Sequence, residues 1–318
     1  MSSIGIKDTA HADEIKNQQS QEQTEGGENQ DASKEHAPRR VDATWKEIFS
    51  GPFPSSRLFA MPTARVIGAY QLSMSGDASL LGEADTLSTT SVVAIGFGDI
   101  AQLEYRSSTA MSTLRDIPIR LPTLGVQLAV PYRHPYLPEL AVALRFGLPR
   151  TELSPDERIS HTERVTDLYF VGSKQLTKRL SLHGGLRVSS ARISSSGEPL
   201  LGDADQVLYL PAGGLAVQIT EHARIAAETS LVPLFAPGDA TRESRIGSGV
   251  FGRTGIHWRL FPWLVMEASI GYRIEVDRFD SSLSTMANAL VDWDMRLGGE
   301  IFIPWGAVMC RGTRVFCE

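Results

Sequence analysis

Apolar and polar residues alternate with a period of two from about Ala64 to Ile303. In Leu264, Met266, Ala268, Ile270, Tyr272 and Ile274 every second position is apolar or small. The intervening Val265, Glu267, Ser269, Gly271, Arg273 and Glu275 are mostly small or charged. A period of two is the signature of a β-strand with one apolar and one polar face. The pattern recurs about twelve times, over residues 64–76, 88–98, 101–109, 122–132, 139–148, 163–175, 179–193, 205–219, 223–236, 247–260, 263–276 and 289–303. Most of these spans suit a tilted strand crossing a bilayer, which takes roughly 9–11 residues. The expected fold class is all-β: an antiparallel up-and-down transmembrane β-barrel. Leu264, Met266, Ile270 and Ile274 should face lipid.

The connections sharpen that reading. Short ones at Gly98-Asp99, Arg133–Pro138, Leu176–Lys178, Thr220–His222 and Phe261-Pro262 alternate with longer ones. The longer ones are Asp77–Leu87, Ala110–Leu121, Pro149–Thr162, Ser194–Ala204, Pro237–Ile246 and Asp277–Asn288. Short turns on one rim and long loops on the other is the outer-membrane arrangement, with the short turns periplasmic. A soluble sandwich has no reason to keep it. Tyr132, Tyr136, Trp258, Phe261 and Trp263 fall near short turns and suit an interfacial girdle. Phe146, Tyr209, Phe235 and Tyr272 are expected on the apolar face towards the long loops.

Composition defines the ends. Residues 1–50 are rich in Gln, Glu, Asn, Ser and Lys, and carry ten acidic against six basic residues. Such a segment buries too little apolar surface to offset its ordering entropy and is expected to be disordered. Residues 51–62, rich in Pro and Ser, read as a linker, residues 63–304 as the barrel and 305–318 as a periplasmic extension. No apolar run is long enough for a transmembrane helix. The start, Met-Ser-Ser-Ile-Gly-Ile-Lys-Asp, has no basic and apolar stretch of the signal-peptide kind, although a barrel requires export. Cys310 and Cys317, the only cysteines, are a disulfide candidate in an oxidising envelope.

The formal charge of -6 gives no basic excess for a nucleic-acid partner. Beyond Lys46 only Lys174 and Lys178 are lysines, and every other basic residue apart from histidine is arginine. Arginine suits a crowded lumen because its planar fork bonds two carboxylate oxygens at once. Placing apolar residues outward assigns the lumen lining. It comprises Arg145, His183, Arg187, Glu228, Arg253, His257, Glu267, Arg273, Glu275, Asp292, Asp294, Arg296 and Glu300, with Gln71, Gln102, Glu104, Arg106, Gln127 and Gln218 beside them. Arg145 and Arg187 have no acid two residues away on their own strands, so they are expected to act as unpaired selectivity charges.

Other motifs carry less. Gly96-Phe97-Gly98-Asp99-Ile100-Ala101 fits a dinucleotide fingerprint, but that motif must open a helix, and Ala101–Arg106 alternates as a strand. It reads as a hairpin turn. Asp203, Asp205 and Glu198 match no calcium-loop spacing, and no metal or cofactor is expected. His161, in a polar loop with Ser154, Asp156 and Ser160, is the weak catalytic candidate.

Arg296, Gly298, Ile301 and Ile303 in the last strand resemble the insertion signal of Gram-negative outer-membrane β-barrel proteins. The resemblance is to the class and covers about three quarters of the chain. It implies outer-membrane lipid and the barrel-assembly machinery as partners. The expected function is passive passage of small polar or charged solutes. A lipid-modifying barrel enzyme using His161 is the alternative, and a structural envelope barrel with a closed lumen is the third reading.

Overall fold

The computed structural model describes residues 53, 55–68, 70–81, 86–98, 100–112, 119–132, 134, 136–153, 159–197, 203–236, 243–274 and 293–306. The tail, Glu275, Asp292, Cys310 and Cys317 lie outside them, as do the side chains of Arg273 and Ile274.

The alternating segments form β1 (Leu72–Leu81), β2 (Thr86–Phe97), β3 (Ala101–Ser112), β4 (Ile119–Ala129), β5 (Glu139–Gly147), β6 (Arg150–Leu153) and β7 (Ile159–Gln175). They continue as β8 (Leu180–Gly197), β9 (Ala204–Gln218), β10 (Ala223–Ala236), β11 (Arg245–Phe261), β12 (Leu264–Ile274) and β13 (Trp293–Ile303). Sequence neighbours pair antiparallel throughout, except that both β5 and β6 pair with β7. These two are one stave broken at Leu148-Pro149, where proline has no N–H to give to a ladder. The twelve staves close into a ring because β1 pairs with β13, Leu72 opposite Ile303. Closure leaves no free sheet edge, which a membrane-embedded sheet requires.

Alternation sorts the faces as expected. Leu103, Tyr105, Leu124, Leu128, Phe170, Leu186, Ile225, Ile256 and Leu297 are exposed around the outside, while Gln102, Glu104, Gln127, Arg145, Asp167, Ser189 and Arg253 are buried within. On β12, Ile270 is 45% exposed, whereas Ser269 and Val265, on the other face of the strand, are buried. Tyr132, Tyr136, Trp258, Phe261 and Trp263 are all exposed near short turns, with Phe261 and Trp263 stacked at 5.5 Å. Phe146, Tyr209 and Tyr272 are exposed as well. Phe235 departs from this: it is 2% exposed and packs with Ala191 and Ile193 near the long-loop rim. Gly98, at φ 63°, turns the β2–β3 hairpin, so the glycine motif opens a strand, not a helix.

Two boundaries move. On the long-loop rim the strands run past their expected ends: β1 to Leu81, β3 to Ser112, β8 to Gly197, and β7 back to Ile159. Ser194, Ser195 and Ser196 pair with Thr162, His161 and Ser160, a ladder of polar residues whose backbone bonds leave no alternation to detect. At the other end, the expected strand from residue 64 is absent, and β1 begins only at Leu72. From Phe53 to Ile67 the described residues, assigned in part to a linker, pack against the inner wall of the barrel.

Candidate functional site: a re-entrant segment and an arginine-rich cavity

Phe53, Leu58, Phe59, Met61, Ala64 and Ile67 are buried, Leu58 and Ile67 to 1% exposure. Segment and wall form successive contacts. Phe53 and Ile67 pack with Ala94, Val265 and Phe302 near the short-turn ends of β2, β12 and β13. Leu58 and Phe59 pack with Ala216 and Ala226. Met61 reaches Ala143, Tyr169 and Val171 on β5 and β7. From Phe53 near the short-turn rim the described chain turns inside the lumen at Leu58–Met61 and returns to become β1. The turn is closed by Leu58 N–H donating to Met61 C=O at 3.0 Å and Thr63 N–H donating to Ser56 C=O at 2.8 Å.

Irregular backbone inside a barrel needs partners, because its polar groups are shielded from bulk water. Lumen side chains supply them. Glu228 on β10 accepts from the N–H groups of Phe59 at 3.0 Å, Ala60 at 2.9 Å and Met61 at 3.1 Å. Gln102 accepts from Ile67 N–H at 3.1 Å, and Gln127 donates to the carbonyls of Thr63 and Arg65 at 2.8 and 3.0 Å. Ser173 accepts from Ala64 N–H at 2.8 Å and bonds His183 Nδ1 at 2.8 Å. Arg65 pairs with Glu139 at 3.0 Å. His257 stacks on Phe59 at 4.9 Å, accepts from Arg224 at 3.1 Å and contacts Glu267 at 3.3 Å. Arg224 and Arg259 lie over the Phe53 ring at 4.7 and 4.9 Å.

Glycines on the inner face make the room. A Cβ on Gly214 would stand 2.4 Å from Leu58 Cδ1, and one on Gly96 would stand 2.2 Å from the Gly68 carbonyl oxygen. Two more let ion pairs reach across an intervening strand. Gly125 lies between Glu104 and Arg145, and Gly271 between Arg253 and Asp294. Both pairs join directly over the glycine.

These contacts correct one expectation. Arg145 is paired with Glu104, and Arg187 forms a fork to Asp167 with two 2.8 Å bonds, so neither is an unpaired charge. Own-strand spacing missed the partners because Glu104 lies two staves away and Asp167 lies on a neighbouring strand. Arg253 binds Asp294, and Arg296 bridges Asp294 and Asp77. Glu300 accepts from Ser73 at 2.5 Å. Sequence reasoning also missed the inner-face glycines, whose signal is a glycine at an inward position flanked by opposite charges on adjoining strands.

Beyond the turn towards the long loops lies a cavity of about 370 Å³. Phe59, Ala60 and Met61 line it, with Arg57, Arg106, Arg145, Arg187, Arg253 and Arg296, Asp77, Asp167, Glu267 and Tyr169. His161, expected in a loop, is instead in β7, 5% exposed, with Nδ1 2.9 Å from Ser195 Oγ. Ser195 Oγ is 3.3 Å from Ser244 Oγ. Among the described residues no cluster suits a metal ion.

No family model matches the chain, and no curated protein does. Solved structures do. It is similar to the NanC porin at 13% identity over 72% of this chain and 98% of that one, with a TM-score of 0.45. The KdgM porin aligns at 9% identity over 73% and 98%, TM-score 0.43. LpxR from Salmonella typhimurium aligns at 8% identity over 73% and 99%, TM-score 0.40. Ring closure, the apolar outer surface and the charged interior give the chain the fold of the Gram-negative outer-membrane β-barrels.

Proposed function

We propose that this protein is a bacterial outer-membrane channel for small polar or charged solutes, held closed by its own Phe53–Gln71 segment. The short-turn rim faces the periplasm, and the cavity opens towards the long loops. The observation that carries the reading is the nature of the barrier. The lumen is crossed by a chain segment held largely by side-chain caps, chiefly Glu228, Gln102 and Gln127, and joined to the sheet backbone at its end, where Tyr70 and Gln71 bond Gly96. Lumen groups freed by its departure would be solvated by entering water, so displacement leaves the barrel wall intact. Recognition of β13, with Arg296, Gly298, Ile301 and Ile303, by the barrel-assembly machinery belongs to the same reading.

Liposome swelling tests it. Glu228→Ala removes the acceptor for three backbone donors and should admit small sugars and amino acids faster than the unmodified protein. Equal swelling rates from equally folded protein would count against the gate.

A second reading, hydrolysis of a lipid ester, rests on the His161–Ser195 contact. It expects Ser195→Ala to abolish ester release from outer-membrane lipid without changing swelling.

A further inference from the structure

The arginines of the cavity are not alike. Arg145, Arg187, Arg253 and Arg296 each hold a carboxylate. Arg57, on the re-entrant turn, donates to Ser75. Arg106, on β3, has no hydrogen bond or ion pair among the described residues, and its Nε and Nη2 atoms are shielded from solvent without an acceptor. Its nearest acid along the strand, Glu104, is engaged by Arg145.

A guanidinium left this way is costly. Shielded donors without an acceptor carry their full desolvation penalty, more so when charged. Native structures fill such positions with a partner. Here the group lines a cavity of about 370 Å³ that also holds Arg57 and Tyr169, in the size range of small-ligand sites. Tyr169 lies under Arg145 and Arg187, at 4.9 and 5.5 Å from its ring centre, and both of these are already engaged by their own acids. Among the described residues, the lining arginines without a carboxylate of their own are Arg106, Arg57 and the exposed Arg164. An anion with two adjacent oxygens matches a guanidinium fork.

We infer that the cavity floored by Phe59, Ala60 and Met61 is a binding site for a small organic carboxylate, taken by Arg106 once its side chain turns the guanidinium fork into the cavity, with Arg57 beside it. This inference rests on the channel reading for its purpose, since it names the solute class, but binding itself does not require conduction. The carboxylate bound there sits directly against the closing turn.

The test is calorimetric titration of the refolded full chain in detergent, with succinate as the probe and glycerol and inorganic phosphate as comparisons. Succinate should bind saturably, glycerol should not, and Arg106→Gln should weaken succinate by about tenfold or more, the usual effect of losing a charge-assisted pair. Arg106→Lys keeps the charge without the fork and should fall between. Heat-modifiable gel mobility confirms that each variant is folded. No succinate binding to the folded wild-type chain, or equal binding by Arg106→Gln, overturns the site. Tighter binding of phosphate than succinate overturns the carboxylate assignment. Binding with unchanged liposome swelling on displacement of the turn would retain this site and remove the channel reading.

Discussion

Arg253 on β11 and Asp294 on β13 are joined across an intervening strand, Nη2 lying 2.7 and 2.9 Å from the two carboxylate oxygens, because the residue between them on β12 is Gly271. A Cβ there would stand 2.5 Å from Asp294 Oδ1 and 2.7 Å from Arg253 Nη2. Gly271→Val should therefore force the pair apart. Breaking a buried pair costs about 3–5 kcal/mol, and denaturant unfolding of the refolded barrel should show a loss of that order. Gly184→Ala, whose added carbon meets nothing closer than 4.0 Å, is the control and should change little.

Arg145→Ala should destabilise the barrel, not tune ion selectivity. It strips Glu104 of its partner inside the lumen and removes the donor to Ala60 C=O at 3.4 Å. The expected loss is again about 3 kcal/mol or more. Unchanged stability with an altered reversal potential would restore the view of Arg145 as an unpaired selectivity charge.

The β12 faces predict a second contrast. Ile270 points outward, so Ile270→Arg near the middle of the span should cost about 2–4 kcal/mol. Ser269 points inward and accepts from Arg253 Nη1 at 2.9 Å. Ser269→Ala should cost about 1 kcal/mol, the worth of one hydrogen bond. Ser269 is only 3% exposed beneath Arg253, so an arginine there should be poorly tolerated as well.

Deleting Met1–Arg40 should leave both folding and closure intact. Its composition supports no core, and the closing segment begins beyond it. Loss of heat-modifiable mobility in this truncation would mean that the tail helps the barrel form.

The barrel was legible because a two-residue period repeated twelve times has few other meanings. The facing of Leu264 through Tyr272 could be read one residue at a time. The re-entrant segment was not legible for a physical reason. Ser55, Ser56, Arg57, Leu58, Phe59, Ala60 and Met61 have no two-residue period, since an irregular strap inside a lumen is held by contacts to every side. Ala64, Val66 and Gly68 even extend the strand pattern backwards by chance. Glu104 and Arg145 lie far apart in sequence and meet only through strand pairing across β4, and Glu228 meets the turn at Ala60 only because the segment re-enters the lumen. His161 was read as a loop residue because the ladder around it is polar on both faces.

In the gated-channel proposal, residues 53 to 71 close an otherwise passable lumen. Single-channel recording in planar bilayers tests it most directly, comparing the full chain with a chain that begins at Gln71, each first shown to be folded by gel mobility. The full chain should be silent or show brief small openings, and the shortened chain should conduct steadily with a severalfold larger unitary current. A folded shortened chain with the same conductance as the full chain would contradict the account.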